Sequence, residues 1–199
     1  MNELLNLAVK AHGGLERWNK VKSVRVAASI TGAIWFVKSK GDVLKNVVMT
    51  VDTKAERLVT DFAGQDKRSI FEPSRIVKEE VDGTLIEARD NPEESFRGQQ
   101  RETPWDDIHV AYFCGEALWT YLNTPFLYTH EGFKTEEISP IQVDGEMWRR
   151  LKITFPDNEP HPRTDLLLRP RWFVAPARLH SRYPWRRDWA QLCIGVPRR

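Results

Sequence analysis

The chain has 199 residues, enough for one domain with a substantial core, and its 41% hydrophobic, 29% charged and 11% aromatic residues are those of an ordinary globular protein. No apolar run approaches a membrane span, and two cysteines, Cys114 and Cys193, provide neither a disulfide framework nor a zinc site. The net charge of +2 averages two unlike pieces: residues 163–199 hold nine Arg, two Asp and no Lys or Glu, a net of +7, which leaves −5 on residues 1–162.

The opening MNELLNLAVKAHGG has no cationic start, long apolar stretch or small-residue cleavage site, so it predicts no secretory signal and a cytoplasmic protein. It predicts two short helices within 3–20 around Gly13-Gly14. Leu4, Leu5, Leu7 and Ala8 form one apolar stripe, and Leu15, Trp18 and Val21 a second. Beyond Val21 the period changes to two: Val24, Val26, Ala28 and Ile30 alternate with Ser23, Arg25, Ala27 and Ser29. Strand-like runs follow at Ala33–Val37, 43–51, 57–62, 68–71, 76–81 and 84–88, with Asp82-Gly83 as a hairpin turn. Successive strands with short turns predict an antiparallel meander over 21–90. A polar segment then leads to a helix over 105–122, where Trp105, Ile108, Tyr112, Gly115, Trp119 and Leu122 recur every three or four residues. Asp106 and Asp107 lie in its first turn, where the helix dipole favours carboxylates. A hairpin over 136–155 turns at Asp144-Gly145. The expected fold class is α+β, mainly β: an unclosed half-barrel of antiparallel strands with helices on its concave side.

The segments AHGGLERWNKVKS, WDDIHVAYFCGEALWTYLNTPF and DGEMWRRLKITFP resemble an uncharacterised bacterial branch of the LolA/LolB-like superfamily, related to the carriers that move lipoproteins to the outer membrane. The resemblance spans about residues 5–160. It implies an unclosed antiparallel barrel whose helices cover a hydrophobic cavity of the kind that holds acyl chains in the carriers. It implies no activity.

After Phe155 and Pro156 the resemblance ends. The family continues through a QTFYF-like strand, an aspartate-glycine turn and an RHDY-like strand, whereas this chain reads HPRTDLLLRPRWFVAPARLHSRYPWRRDWAQLCIGVPRR. Arginine without lysine, with frequent Pro and Trp, is the composition of GC-rich coding sequence read out of frame. Back-translated from His161 and shifted forward by one nucleotide, permitted codons allow THAQTFYFGPDGLLRRHDYTVDILGG. Each tail tryptophan, Trp172, Trp185 and Trp189, has a single codon and becomes glycine in that frame. The expected organisation is a half-barrel domain at 1–160 and a frameshifted tail at 161–199, with the last strands of the sheet lost and an exposed edge open to self-association. The other reading of the tail is a natural basic extension.

No phosphate loop, dinucleotide fingerprint, nucleophile elbow, HExxH or CxxC is present. The histidines at 12, 109, 130, 161 and 180 have no metal-ligand spacing, so neither metal nor cofactor is expected. The best polar constellation is Asp106, Asp107 and His109: Asp106, three residues before His109, would tune it as a general acid or base on an apolar substrate. The same spacing describes a helix-dipole pair beside a hydrogen-bonded histidine, and that description is favoured. Trp105, Ile108, Tyr112, Trp119 and Phe126 are the candidate lining of a ligand cavity. The tail's Arg and Trp would bind polyanions without specificity, so no specific nucleic acid is expected. The leading functional expectation is non-enzymatic binding of a lipid or other hydrophobic small molecule. The alternatives are the His109 enzyme and a frameshifted product without retained function.

Overall fold

Alternating apolar residues set the sheet of the segment Val21–Asn123, one of two compact units into which the chain divides; the other joins Met1–Lys20 to Thr124–Arg199. The computed structural model describes residues 2–143, 146–156, 163–168 and 174–180, with the backbone alone for 143, 146, 163–168 and 174–180. The fold class is α+β with open antiparallel sheets.

In the Val21–Asn123 unit, β1 (Ser23–Ala28), β2 (Val47–Asp52), β3 (Leu58–Phe62), β4 (Lys67–Glu72), β5 (Arg75–Glu80) and β6 (Leu85–Asp90) form a six-stranded meander in chain order. Cross-strand partners share a face, and one face is the core. Its first row runs Val24, Val51, Leu58, Phe71, Ile76 and Arg89; its second runs Val26, Met49, Thr60, Ser69, Lys78 and Glu87. Both rows begin apolar at β1 and end charged at β6. The helix α4 (Asp107–Asn123) packs on this face across β2 to β5. Twelve of its seventeen residues are buried, more than a one-sided amphipathic stripe requires.

The Ala33–Val37 run is a short helix, α3, and not the expected strand. β1 and β2 already pair directly, with Ala28 opposite Val47, so the meander has no place for another strand between them. AIWFV also lacks alternation: consecutive Ile34 and Trp35 are both buried, together with Lys38 one turn on, which a helical turn achieves and a strand does not.

In the other unit, Asn2 caps α1 (Glu3–Ala11) by accepting from the Leu4 N–H at 2.8 Å. Gly13 and Gly14, at φ of +99° and +83°, take left-handed conformations that other residues resist, and the chain reverses into α2 (Leu15–Trp18). α1 packs on β8 (Glu146–Thr154), which pairs with β7 (Lys134–Val143). Leu151, Ile153 and Phe155 are buried in alternation with half-buried Lys152 and Thr154. The register of β7 shifts between Ile138 and Ile141, where Pro140 has no N–H to give the ladder. The Asp144-Gly145 turn lies outside the described residues.

β9 (Arg163–Leu168) pairs with β8, and β10 (Val174–His180) pairs with β9, giving a sheet in the order β10-β9-β8-β7. The sheet is not closed. The open edge of β8 is a template for any extended segment, and Leu166, Leu167 and Leu168 supply an apolar one. Among the described residues no helix is long and apolar enough to cross a membrane.

Candidate functional site

The site is built where the core face of the meander turns polar and meets the start of α4. Asp106 precedes the helix, and its carboxylate accepts the His109 backbone N–H at 2.8 Å, filling one of the helix's unsatisfied donors. The same carboxylate lies 2.7 Å from His109 Nδ1 and accepts from Arg89 at 2.7 Å. Asp107 accepts from Lys40 at 2.6 Å and from Lys78. Burial alone would raise both carboxyl groups; the hydrogen bonds from His109 and Arg89 to Asp106, and from Lys40 and Lys78 to Asp107, outweigh it and hold both below the usual carboxylate range.

His109 is 9% exposed, and its ring is held from both sides. Gln99 accepts from the Trp105 indole N–H at 2.8 Å and donates to the Ser95 carbonyl at 3.0 Å. Because an indole only donates and a carbonyl only accepts, the Gln99 amide nitrogen must face His109 Nε2, at 2.8 Å. Nε2 therefore accepts from Gln99, its longer 3.3 Å approach to the Ser95 carbonyl carrying no hydrogen bond, and the ring proton sits on Nδ1, pointing at Asp106. The Asp106 backbone N–H also approaches Nδ1, at 3.2 Å; the shorter, charge-assisted contact to the carboxylate decides the tautomer. With its lone pair on Gln99 and its proton on Asp106, the ring has neither nitrogen free for a substrate.

The paired Asp106 and Asp107 carry an acid-sensitive part of the stability. Their folded pKa values lie below the unfolded value of about 4, so the unfolded chain takes up protons first. The stabilisation is complete above about pH 4 and is lost as the pH falls below it. Both side chains are about two-fifths exposed, so salt weakens the effect. Thermal melts from pH 6 to pH 2.5 are expected to show a falling midpoint, with a shallower fall in Asp106→Asn; an unchanged slope in that variant would contradict the pairing.

Lys38, at 2% exposure, carries no obvious signal in the sequence. Its ammonium donates to the carbonyls of Gln100 at 3.0 Å and Thr103 at 3.3 Å and lies 5.1 Å from the Trp105 ring centroid. Burial lowers its pKa, with Glu102 partly opposing.

Beside Asp107, between α4 and the sheet, lies a cavity of about 70 Å3. Val43, Phe62, Ile108, Val110 and Ala111 form its apolar wall. Lys67, Ser69, Lys78 and Asp107 form a polar side, with Gln65 also lining the space. Lys67 and Ser69 are two residues apart on β4 and therefore share its core face with buried Phe71; Lys78 is the β5 partner of Ser69. These residues were missed in the sequence; strand periodicity counted from a buried Phe71 is the signal that could have found Lys67 and Ser69.

The five apolar candidates are dispersed. Ile108, fully buried, lines the cavity. Trp105 packs against Trp35, Phe96 and Phe113. Tyr112 packs against Phe71 and Phe96. Trp119 closes the β2–β3 turn, its indole N–H donating to the carbonyls of Asp52 at 3.0 Å and Ala55 at 2.8 Å. Phe126 belongs to the other unit, stacked on Trp18 with ring centroids 4.2 Å apart. Cys114 is buried, which pushes its thiol pKa up and away from the thiolate. Among the described residues no group of three or more His, Cys, Asp or Glu could hold a metal ion. No family model, curated protein or solved structure matches the chain.

Proposed function

We propose that the Val21–Asn123 unit binds a small hydrophobic molecule, or the apolar end of a larger one such as a lipid, without covalent chemistry, and that its open sheet with α4 on the core face belongs to a half-barrel of the LolA/LolB-like kind. The observation that carries the binding reading is the cavity between α4 and β4, where Val43, Phe62, Ile108, Val110 and Ala111 face one space. At about 70 Å3 it is about half the engineered cavity of roughly 150 Å3 that takes up benzene. It is well below the several hundred Å3 of a drug-sized pocket. A few carbons fit, so the occupant is a small molecule or a chain end. In this reading Ile108 is the candidate that meets the ligand, and Trp105, Tyr112 and Trp119 pack elsewhere in the unit, outside the cavity lining. The engagement of both His109 nitrogens favours binding over His109 catalysis.

Titration with 1-butanol, followed by amide NMR shifts, tests this. Saturable shifts at Phe62, Ile108 and Ala111 are expected. Val43→Phe, which enlarges a half-buried connecting residue at the cavity, should remove them while leaving the folded spectrum. Linear, dispersed shifts in the wild type, or unchanged saturation in Val43→Phe, would contradict the assignment.

A further inference from the structure

The cavity has a free polar pole. Ser69 is 6% exposed, and its hydroxyl forms no hydrogen bond among the described residues; the oxygen is not fully enclosed and stays open to the space. Lys67 forms no ion pair among them either. Its cross-strand neighbour Glu80 makes no ion pair with it and is not part of the cavity lining. Lys78 gives one of its three protons to Asp107 and retains two. Lys40 and Lys78 both pair with Asp107, and within the cavity lining the ammonium groups of Lys67 and Lys78 face Asp107 as the only carboxylate. Donors open to the space are available to a ligand, and the excess of ammonium groups over carboxylates in the lining selects its sign.

We infer that the ligand is an anionic amphiphile, a short-chain carboxylate or the carboxylate end of a fatty acid, whose head is held by Lys67, Ser69 and Lys78 and whose chain lies along Phe62, Val43 and Ile108; this inference rests on the binding reading above. Residues i and i+2 on one strand are about 6.6 Å apart and directly opposed residues about 5 Å. At that spacing, and with all three residues lining the one cavity, the two ammonium groups and the hydroxyl are within side-chain reach of one small head. A carboxylate has two oxygens to share among these donors, and the Ser69 hydroxyl donates to one of them. No bond is made or broken.

Butyrate and its uncharged analogue butyramide, titrated into the full chain at low salt and followed by amide shifts at Phe62, Ser69 and Ile108, separate the two levels. Butyrate is expected to bind about tenfold more tightly than butyramide. Lys67→Met is expected to bring the two affinities together, as is raising the salt in part. Ser69→Ala, which removes a hydroxyl without adding volume, should weaken butyrate several-fold. Equal affinity of butyrate and butyramide in the wild type would overturn the anionic ligand and leave the apolar site standing. Saturable binding of neither probe would overturn both.

Discussion

Gly115→Ala is expected to destabilise the Val21–Asn123 unit by roughly 2 kcal/mol, although alanine is the better helix former by about 1 kcal/mol. A Cβ at Gly115 would fall within 3.0 Å of three atoms of the Phe71 ring. Phe71 is 1% exposed and packs against Tyr112, so the ring cannot swing away. α4 must instead rise from β4, loosening the contacts of Ile108 and Tyr112 with the sheet. Urea denaturation measures the loss. Shortening the ring in Phe71→Leu should recover part of it, so that the double variant is more stable than the sum of the two single changes by about 1 kcal/mol or more. A stabilised Gly115→Ala would mean that helix and sheet are not in close contact at this point.

Lys38 gives the second large effect, and its two replacements should differ. Lys38→Ala removes a buried stem beside Trp105 and is expected to cost about 3 kcal/mol, in the range of other large-to-small core changes. Lys38→Met keeps the stem and removes only the charge. It deprives the Gln100 and Thr103 carbonyls of a donor, but Gln100 is exposed and Thr103 half-buried, so water can replace it. It also removes a charge whose burial is unfavourable, and the change is expected to stay within about 1 kcal/mol. The lowered pKa of Lys38 adds a sign. Its unfolded form holds the proton to higher pH than its folded form, so wild-type stability from this residue rises with pH up to about 10.4. Lys38→Met should lack that rise. Equal losses in the Ala and Met variants would show that the ammonium, and not the stem, is what the site needs.

Period two exposed the meander in the sequence because one face of each strand is buried: Val47, Met49 and Val51 on β2, and Ser69 and Phe71 on β4, alternate with half-buried neighbours. The same rule was silent at Ala33–Val37, a run too uniformly apolar to distinguish a strand from a helical turn. Asp106 and His109 were legible as a pair because three residues is a local helix spacing. Gln99, which decides the tautomer, reaches His109 from a connecting segment with no periodicity. Lys38 meets carbonyls 62 and 65 residues away, a contact set by the tertiary fold alone. Lys67, Ser69 and Lys78 were missed: period two puts them on the face of Phe71 and Ile76, but which of them meet depends on register, set by turns whose geometry composition does not specify. In the tail, composition pointed to a shifted reading frame, while the backbone pairs 163–168 and 174–180 as strands. Strand pairing needs an open edge and an extended segment, and tail composition reports neither.

The most direct measurement of the central claim is an isotope-filtered NOE experiment on the full chain with 1-butanol bound. Cross-peaks from the butanol methyl to the side chains of Phe62, Ile108 and Val110 are the predicted result. Cross-peaks confined to exposed apolar residues such as Phe36 and Leu85, with none to Ile108, would contradict a binding site between α4 and the sheet.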